Sequence, residues 1–429
     1  MKSLAALCAL FPGLVFAAVI GHNVPAPEMD RARLAELPAA QRPAWQAYLD
    51  RSDRQMTLDR ATLARELNAG DTVPPPPTAG RMNAPLDREP AWYASDEARA
   101  IANTIVSFQT PSGGWSKNQD RSRPPRQPGQ RYANDAETMT LGTGSFDEPR
   151  DRFWTFVGTL DNDATHTEIR FLARVNQQHP SDACRAAIVK GIGYLLMAQY
   201  PNGGWPQVYP LEGGFHDGIT FNDDAVVEAA RLLQDVGRGA PEFAFVPVPL
   251  RRQARAAAAR AVNLLVAAQV QVDARPTIWP QQIDALTLAP ISARNYEPRG
   301  LASAESAGVL LFLMQQPRPT PAMKAAIASG IGWLKAHALH DHAFTMTPDG
   351  RKLVSQPGAG PLWARLYDVA TGRPVFGDWG KTIHDDVNEI SRGRRNGYTW
   401  WGTWPQKALA AHRRWLDEHP GPSSWGEAD

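Results

Sequence analysis

Cysteine is almost absent. The chain of 429 residues has two, and Cys8 lies in an apolar run from Leu4 to Ala18 that follows Lys2 and ends at the small residues Ala17 and Ala18. That pattern predicts an export signal over residues 1–18, with the product periplasmic or secreted. Cys184 is then alone, which excludes an internal disulfide and leaves stability to packing. Charge of one sign is lacking as well: 45 Lys and Arg stand against 44 Asp and Glu, which gives no basic footprint for nucleic acid. Lysine itself is scarce, and the arginine excess is given no functional weight. No second apolar run approaches the roughly 20 residues of a membrane span, and alternating strand patterns are few. The expectation is a soluble, mostly helical monomer without nucleic-acid or membrane partners.

Glycine, proline and tryptophan are plentiful. Residues 24 to 70 carry helical spacing, including Trp45, Tyr48, Leu49, Leu63 and Leu67, and the run Val73-Pro74-Pro75-Pro76-Pro77 ends any helix there because proline lacks an amide donor. Residues 19–90 therefore read as a small helical extension and linker, and 91–429 as a catalytic domain. Within the latter a motif recurs. Ile101 to Phe108 leads into Gln109-Thr-Pro-Ser-Gly113-Gly114-Trp115, Gly191 to Ala198 into Gln199-Tyr-Pro-Asn-Gly203-Gly204-Trp205, and Ala261 to Ala268 into Gln269 and Trp279-Pro280. Repeated helix, Gln and Gly-Gly-Trp loop suits an all-α toroid of helical hairpins with an open groove at one end. Most of these Gln and Trp side chains read as scaffold, with Trp115 and Trp205 also able to stack on a ligand.

Four clusters carry chemistry. Asp161-Asn162-Asp163 and Asn222-Asp223-Asp224 each precede an apolar helix. One such cluster is an ordinary helix cap; two of the same form offer hard oxygen ligands, suited to calcium rather than zinc because no paired His or Cys accompanies them. Ser292-Ala293-Arg294-Asn295-Tyr296-Glu297 precedes a helix beginning near Ser303. Trp363-Ala364-Arg365-Leu366-Tyr367 pairs with Arg394-Arg395-Asn396-Gly397-Tyr398-Thr399-Trp400-Trp401-Gly402. Guanidinium forks among flat rings suit carboxylated sugars. The residues alone lead to a helical, metal-using carbohydrate enzyme.

In the order Gln109 to Asn118, Asp161-Asn162-Asp163, Tyr200 to Pro210, Phe221 to Asp224, Ala293 to Glu297 and Asn396 to Gly402, the chain resembles the pectate lyases of polysaccharide lyase family 10 over roughly residues 92 to 410. The resemblance implies a toroid-like helical fold and calcium-assisted β-elimination of polygalacturonate to 4,5-unsaturated products. It assigns calcium to Asp161, Asn162 and Asp223, the C5 base to Arg294, and substrate carboxylates to Lys117 and Arg365; Arg395, Tyr398 and Trp205 complete the expected substrate contacts. Nearby calcium and other cations should disfavour the charge on Arg294 and set an alkaline optimum. Arg299 is a second candidate base, Trp379 stands where relatives carry arginine, and His166 and Glu168 read as local helix-start residues. A hydrolase using Asp161 and Asp223 as acid and base, and a non-catalytic exported sugar-binding protein, are the alternatives.

Overall fold

Four buried tryptophans organise the chain. In the computed structural model, which describes residues 19–134, 144–148 and 157–419, ten α-helices are present: α1 Arg42–Ala64, α2 Asp96–Ser107, α3 His166–Gln178, α4 Asp182–Ala198, α5 Ala225–Arg238, α6 Val248–Ala267, α7 Ser303–Met314, α8 Pro321–Ala336, α9 Arg392–Gly397 and α10 Pro405–Glu418. The expected export signal lies outside the described residues. Trp115, Trp205, Trp279 and Trp363 are fully buried. Each donates its indole N–H to the even-numbered helix before it: to Ile105 O of α2 at 2.7 Å, Leu195 O of α4 at 2.8 Å, Leu265 O of α6 at 2.6 Å and Leu334 O of α8 at 2.7 Å.

The repeated glutamines staple one even helix to the next. Gln109 donates to Gly113 O and to Ala187 O on α4, Gln199 to Gly203 O and Ala257 O on α6, and Gln269 to Thr277 O and Ala326 O on α8, all at 2.8–3.0 Å. Only glycine fits the close approach in the first two loops. Gly113 and Gly203 have φ of +107° and +101°, and a Cβ would lie 2.6 Å from Lys190 O and 2.5 Å from Arg260 O respectively. The helices form two rows: α2, α4, α6 and α8 in contact in sequence, and α3, α5, α7 and α10 likewise, with α3/α4, α5/α6 and α7/α8 paired across.

The all-α toroid is not what forms. The fold is mixed α/β, about 45% helix with 12% strand or bridge, and no toroid is identified. Six small antiparallel sheets occur among the described residues. Most of their strands have two residues, too short to show an alternating pattern. The longest hairpin pairs His342–Thr347 with Gly350–Ser355 around a Pro348-Asp349 turn, with Gly350 at φ +93°; its six-residue strands do not alternate sharply between buried and exposed positions, so they carry little period-2 signal.

The extension shares the main core. Val19–His22 pairs with Thr382–His384, which pairs in turn with Phe376–Gly377. Helix α1 buries Trp45, Tyr48 and Leu49, and Tyr48 donates its hydroxyl to Ala198 O at 2.9 Å. Trp45 and Tyr48 lie 5.1 and 4.7 Å from the Tyr200 ring. Among the described residues no helix is long and apolar enough to cross a membrane.

Candidate active site

The residue two places beyond each anchoring tryptophan carries a polar head into one place: Lys117, Gln207, Gln281 and Arg365. They meet the turns that precede the odd-numbered helices. Lys117 Nζ donates to Asp161 Oδ2 at 2.7 Å, and Gln207 Nε2 to Asp161 Oδ1 at 2.7 Å. Gln281 Nε2 and Arg365 Nη2 both donate to Asn222 Oδ1, at 2.8 and 3.1 Å. Arg365 also pairs with buried Glu305 in the first turn of α7. Each tryptophan fixes its own segment through the helix bond already described, so the repeat that builds the fold also delivers the site.

The two acidic turns share an unusual backbone. Asn162 and Asp163 have φ of +50° and +61°, and Asp223 and Asp224 +52° and +57°. Asn and Asp tolerate this left-handed region better than other residues with a Cβ. Asn222 joins the turns, its amide nitrogen 2.8 Å from Asp223 Oδ2 and 3.5 Å from Asp161 Oδ1. Asn162 donates to Asn118 Oδ1 at 3.0 Å, which leaves its carbonyl oxygen as the acceptor.

Electrostatics separates the two aspartates. Burial works against the Asp161 carboxylate, but the charges of Lys117 and Arg294 and its hydrogen bonds outweigh it and hold the group down at about 2. Asp223 is pushed up to about 7, first by burial and then by the charge of Asp161. Asp224 is raised to about 7 by burial and then by Glu305 and Glu228. Crowded anions of this kind are what a cation relieves. Among the described residues there is no group of three or more His, Cys, Asp and Glu placed to hold a metal ion. The protein offers two carboxylates and a side-chain amide, hard oxygen donors of the kind calcium takes.

Arg294 sits in a turn closed by Glu297 N to Arg294 O at 2.8 Å. Its side chain is 30% exposed, with Nη1 3.1 Å from the Tyr296 hydroxyl and 3.8 Å from Glu297 Oε1, and Nε 3.7 Å from Asp147 Oδ2. Glu297 is the strongest influence and raises its pKa well above the ordinary range, with burial opposing and Tyr296, Asp161 and Asp147 assisting. The chain's own residues therefore reinforce the Arg294 charge, against the expectation that neighbouring cations depress it. The turn is braced from the extension by Asn23 Nδ2, 3.0 Å from Arg294 O. Arg299 is exposed and lines a different cleft, with His22 and Asp368.

Two expected substrate contacts are scaffold instead. Trp205 is fully buried with its indole N–H spent on Leu195 O, so no sugar can stack on it. Arg395 gives its guanidinium to four backbone carbonyls, Arg351 O, Asn388 O, Ile390 O and Asp349 O, at 2.5–3.1 Å. Its neighbour Arg394 is the one among aromatics, its guanidinium 3.7 Å from the Tyr296 ring centre, 4.6 Å from Trp379 and 5.3 Å from Tyr398. Tyr398 lies 5.2 Å from the Arg365 guanidinium, and its buried hydroxyl has no hydrogen-bond partner among the described residues. Glu168 is buried and paired with Arg121, and His166 lies 3.4 Å from Asp163; both serve the start of α3. Sequence reasoning missed Gln207, Gln281 and Glu305, and gave Glu297 no role of its own within the Ser292–Glu297 cluster. The doubled Trp-Pro-Gln at 205–207 and 279–281 was the available signal for the first two.

Comparison with known proteins gives a consistent answer. A family model described as pectic acid lyase matches residues 109–409. A family 10 polysaccharide lyase from Cellvibrio cellulosa has a similar structure, with a TM-score of 0.64 at 28% identity over 78% of this chain and 98% of that one. An aspartate-to-alanine mutant of a family 10 polysaccharide lyase from Cellvibrio cellulosa, in complex with trigalacturonic acid, gives the same TM-score and identity over 76% of this chain and 95% of that one. No curated protein matches.

Proposed function

The chain belongs to the pectic acid lyase family and is a polysaccharide lyase, and from that premise we propose that it cleaves the α-1,4 bonds of polygalacturonate by calcium-assisted β-elimination. The observation that carries this reading is the convergence of the Asp161 and Asp223 turns on the Asn222 amide, with Lys117 hydrogen-bonded to Asp161, Arg365 to Asn222, and Arg294 acting electrostatically on Asp161. The similar lyase in complex with trigalacturonic acid supports the substrate class.

Elimination takes the C5 proton beside the uronate carboxylate and expels the O4 oxygen. An ionised carboxylate makes that proton hard to remove, because negative charge accumulates next to negative charge. Asp161, Asn162 and Asp223 would hold calcium, which would supply neutralisation of that carboxylate. Arg365 and Lys117 hold substrate carboxylates and stabilise the developing charge. Glu305 and Asn222 fix the Arg365 fork. Arg294, as neutral guanidine, takes the C5 proton; the C5–H electron pair becomes the C4=C5 double bond as the C4–O4 bond breaks, and the leaving oxygen takes a proton from water. Export through the N-terminal signal belongs to the same proposal, since a polymer of this size has to be cut outside the cytoplasm.

The test is cleavage of polygalacturonate at alkaline pH with and without a chelator, read by the ultraviolet absorbance of the unsaturated product. Loss in chelator and recovery with added calcium are expected, with Asp223→Ala partly rescued by excess calcium and Arg294→Ala inactive throughout. Undiminished activity in chelator, or new reducing ends without absorbance, would overturn the reading.

A further inference from the structure

Trp379 is a large aromatic left exposed. Among the described residues it is the exposed aromatic in a set otherwise made of Val, Ile, Leu and Met, with 57% of its surface open. A singly exposed apolar side chain is ordinary, but an aromatic ring fixed beside a polar site presents an apolar face with a polar surround, which suits stacking on a ligand. Trp379 is held rigidly. It occupies the tip of the turn Asp378–Lys381, closed by Lys381 N to Asp378 O at 3.1 Å and Asp378 N to Thr382 O at 3.0 Å. Its backbone N–H donates to Asp378 Oδ1 at 2.8 Å. The same carboxylate accepts from Ser391 N at 2.6 Å and Ser391 Oγ at 2.7 Å, tying the turn to the start of α9.

The ring stands next to the proposed reaction centre. Tyr296 meets it edge to face, with centroids 5.3 Å apart at 72°, while the Tyr296 hydroxyl is 3.1 Å from Arg294 Nη1. A sugar on Trp379 is therefore a neighbour of the sugar at Arg294. The Arg394 guanidinium covers part of the indole at 4.6 Å. Arg394 is 4% exposed, and its guanidinium lies against the rings of Tyr296, Trp379 and Tyr398 and donates Nη2 to Gly397 O at 2.7 Å, so it sits behind the indole and not on its open face. The platform offers a flat ring backed by a buried cation.

We propose that Trp379 forms a stacking subsite that binds one galacturonate ring of the polymer by its C–H face, adjacent to the residue at Arg294, and accepts that ring with its carboxylate free or methyl-esterified. The proposal rests on the polygalacturonate reading above. Stacking supplies affinity through the apolar face of the sugar, and Arg394 and Tyr296 hold the indole in register for it.

The test compares wild type, Trp379→Ala and Trp379→Phe on oligogalacturonates from the disaccharide to the hexasaccharide, with melting temperature and calorimetric titration of the hexasaccharide alongside. Trp379→Ala is expected to raise KM for the longer oligomers roughly tenfold, with kcat, disaccharide cleavage and melting temperature nearly unchanged. Trp379→Phe should keep most of the affinity, and the loss in Trp379→Ala should be equal on free and partly methyl-esterified polymer. A loss independent of length, a loss confined to kcat, a fall in melting temperature shared by both variants, or a loss confined to the de-esterified polymer would overturn the subsite. A wild type that binds the hexasaccharide through Trp379 without cleaving it would overturn the reaction instead and leave the subsite standing.

Discussion

Lys117 and Asp161 form a buried ion pair, Nζ to Oδ2 2.7 Å, with side chains 7% and 1% exposed. The pair links the two proposed halves of the site, since Asp161 belongs to the calcium ligands and Lys117 to the substrate contacts. Replacing Lys117 by Met removes a cation beside a metal ligand, so calcium should bind more tightly while the reaction slows. Half-saturating calcium is expected to fall roughly fivefold, and kcat/KM by about tenfold or more as one carboxylate clamp is lost. Titration of activity with calcium measures both. A variant that loses calcium affinity together with activity would show Lys117 to be a support for Asp161 and nothing more.

Arg294 leads to a pH prediction with a definite sign. Glu297 first, then Tyr296, Asp161 and Asp147, favour its charged form, and burial alone opposes them. A base must be neutral to accept a proton, so the usable fraction grows as pH rises. Activity should climb through the alkaline range until the protein itself fails. Arg294→Lys introduces a group of ordinary pKa about 10.4; its residual activity should reach its plateau at lower pH than the wild type. An unshifted profile in that variant would remove Arg294 from proton transfer.

Much of the site was legible because its parts stand next to strong local signals. Asp161, Asn162 and Asp223 sit at helix starts in paired acidic turns, and Lys117 and Arg365 each follow a tryptophan by two places. Gln207 and Gln281 occupy the same position after Trp205 and Trp279, but an uncharged amide carries no chemistry by itself and gains a role only from its partners, Asp161 and Asn222. The choice between Arg394 and Arg395 depended on the phase of a six-residue helix, α9, where adjacent side chains diverge by about 100°. Glu305 looked like an ordinary first-turn acid on an apolar helix; only packing of α7 beside Arg365 reveals it. The Gln and Trp repeat marked where helices end and loops fold back, but the all-α toroid read from it is not what forms, because two-residue strands carry no periodic signal at all.

Trp205 and Tyr398 should respond in opposite ways to removal of their polar group. Trp205 is enclosed in the core with its N–H bonded to Leu195 O. Trp205→Phe is expected to cost about 1–3 kcal/mol of stability from lost volume and that bond, with KM unchanged. The Tyr398 hydroxyl is buried beside Arg365 without a hydrogen-bond partner among the described residues. Tyr398→Phe should leave stability unchanged or slightly improved, and raise KM severalfold where the hydroxyl meets substrate. Denaturant melts and steady-state kinetics on the two variants decide it; an unchanged KM in Tyr398→Phe would remove that tyrosine from the substrate contacts.

Arg33 and Asp284 make the extension's contribution measurable. The guanidinium holds both carboxylate oxygens, Nη1 to Oδ2 at 2.8 Å and Nη2 to Oδ1 at 3.1 Å, with Asp284 5% exposed. Burial opposes the Asp284 charge, but the hydrogen bonds from Arg33 and Thr287 outweigh it and lower its pKa. A carboxylate lowered on folding contributes stability that is fully present above its unfolded value of about 3.9 and is lost as pH falls through the folded value. Arg33→Ala should therefore destabilise by roughly 1–3 kcal/mol at neutral pH, and the gap to wild type should close in acid. Asp284 directly follows Gln282–Ile283, which pairs with Ile219–Thr220 just before the Asn222 turn, so the bridge also steadies the strand pair leading into the acidic turn. Urea unfolding of both proteins at neutral and acid pH is the measurement; a gap that stays constant would mean Arg33 acts through packing of its stem and not through the ion pair.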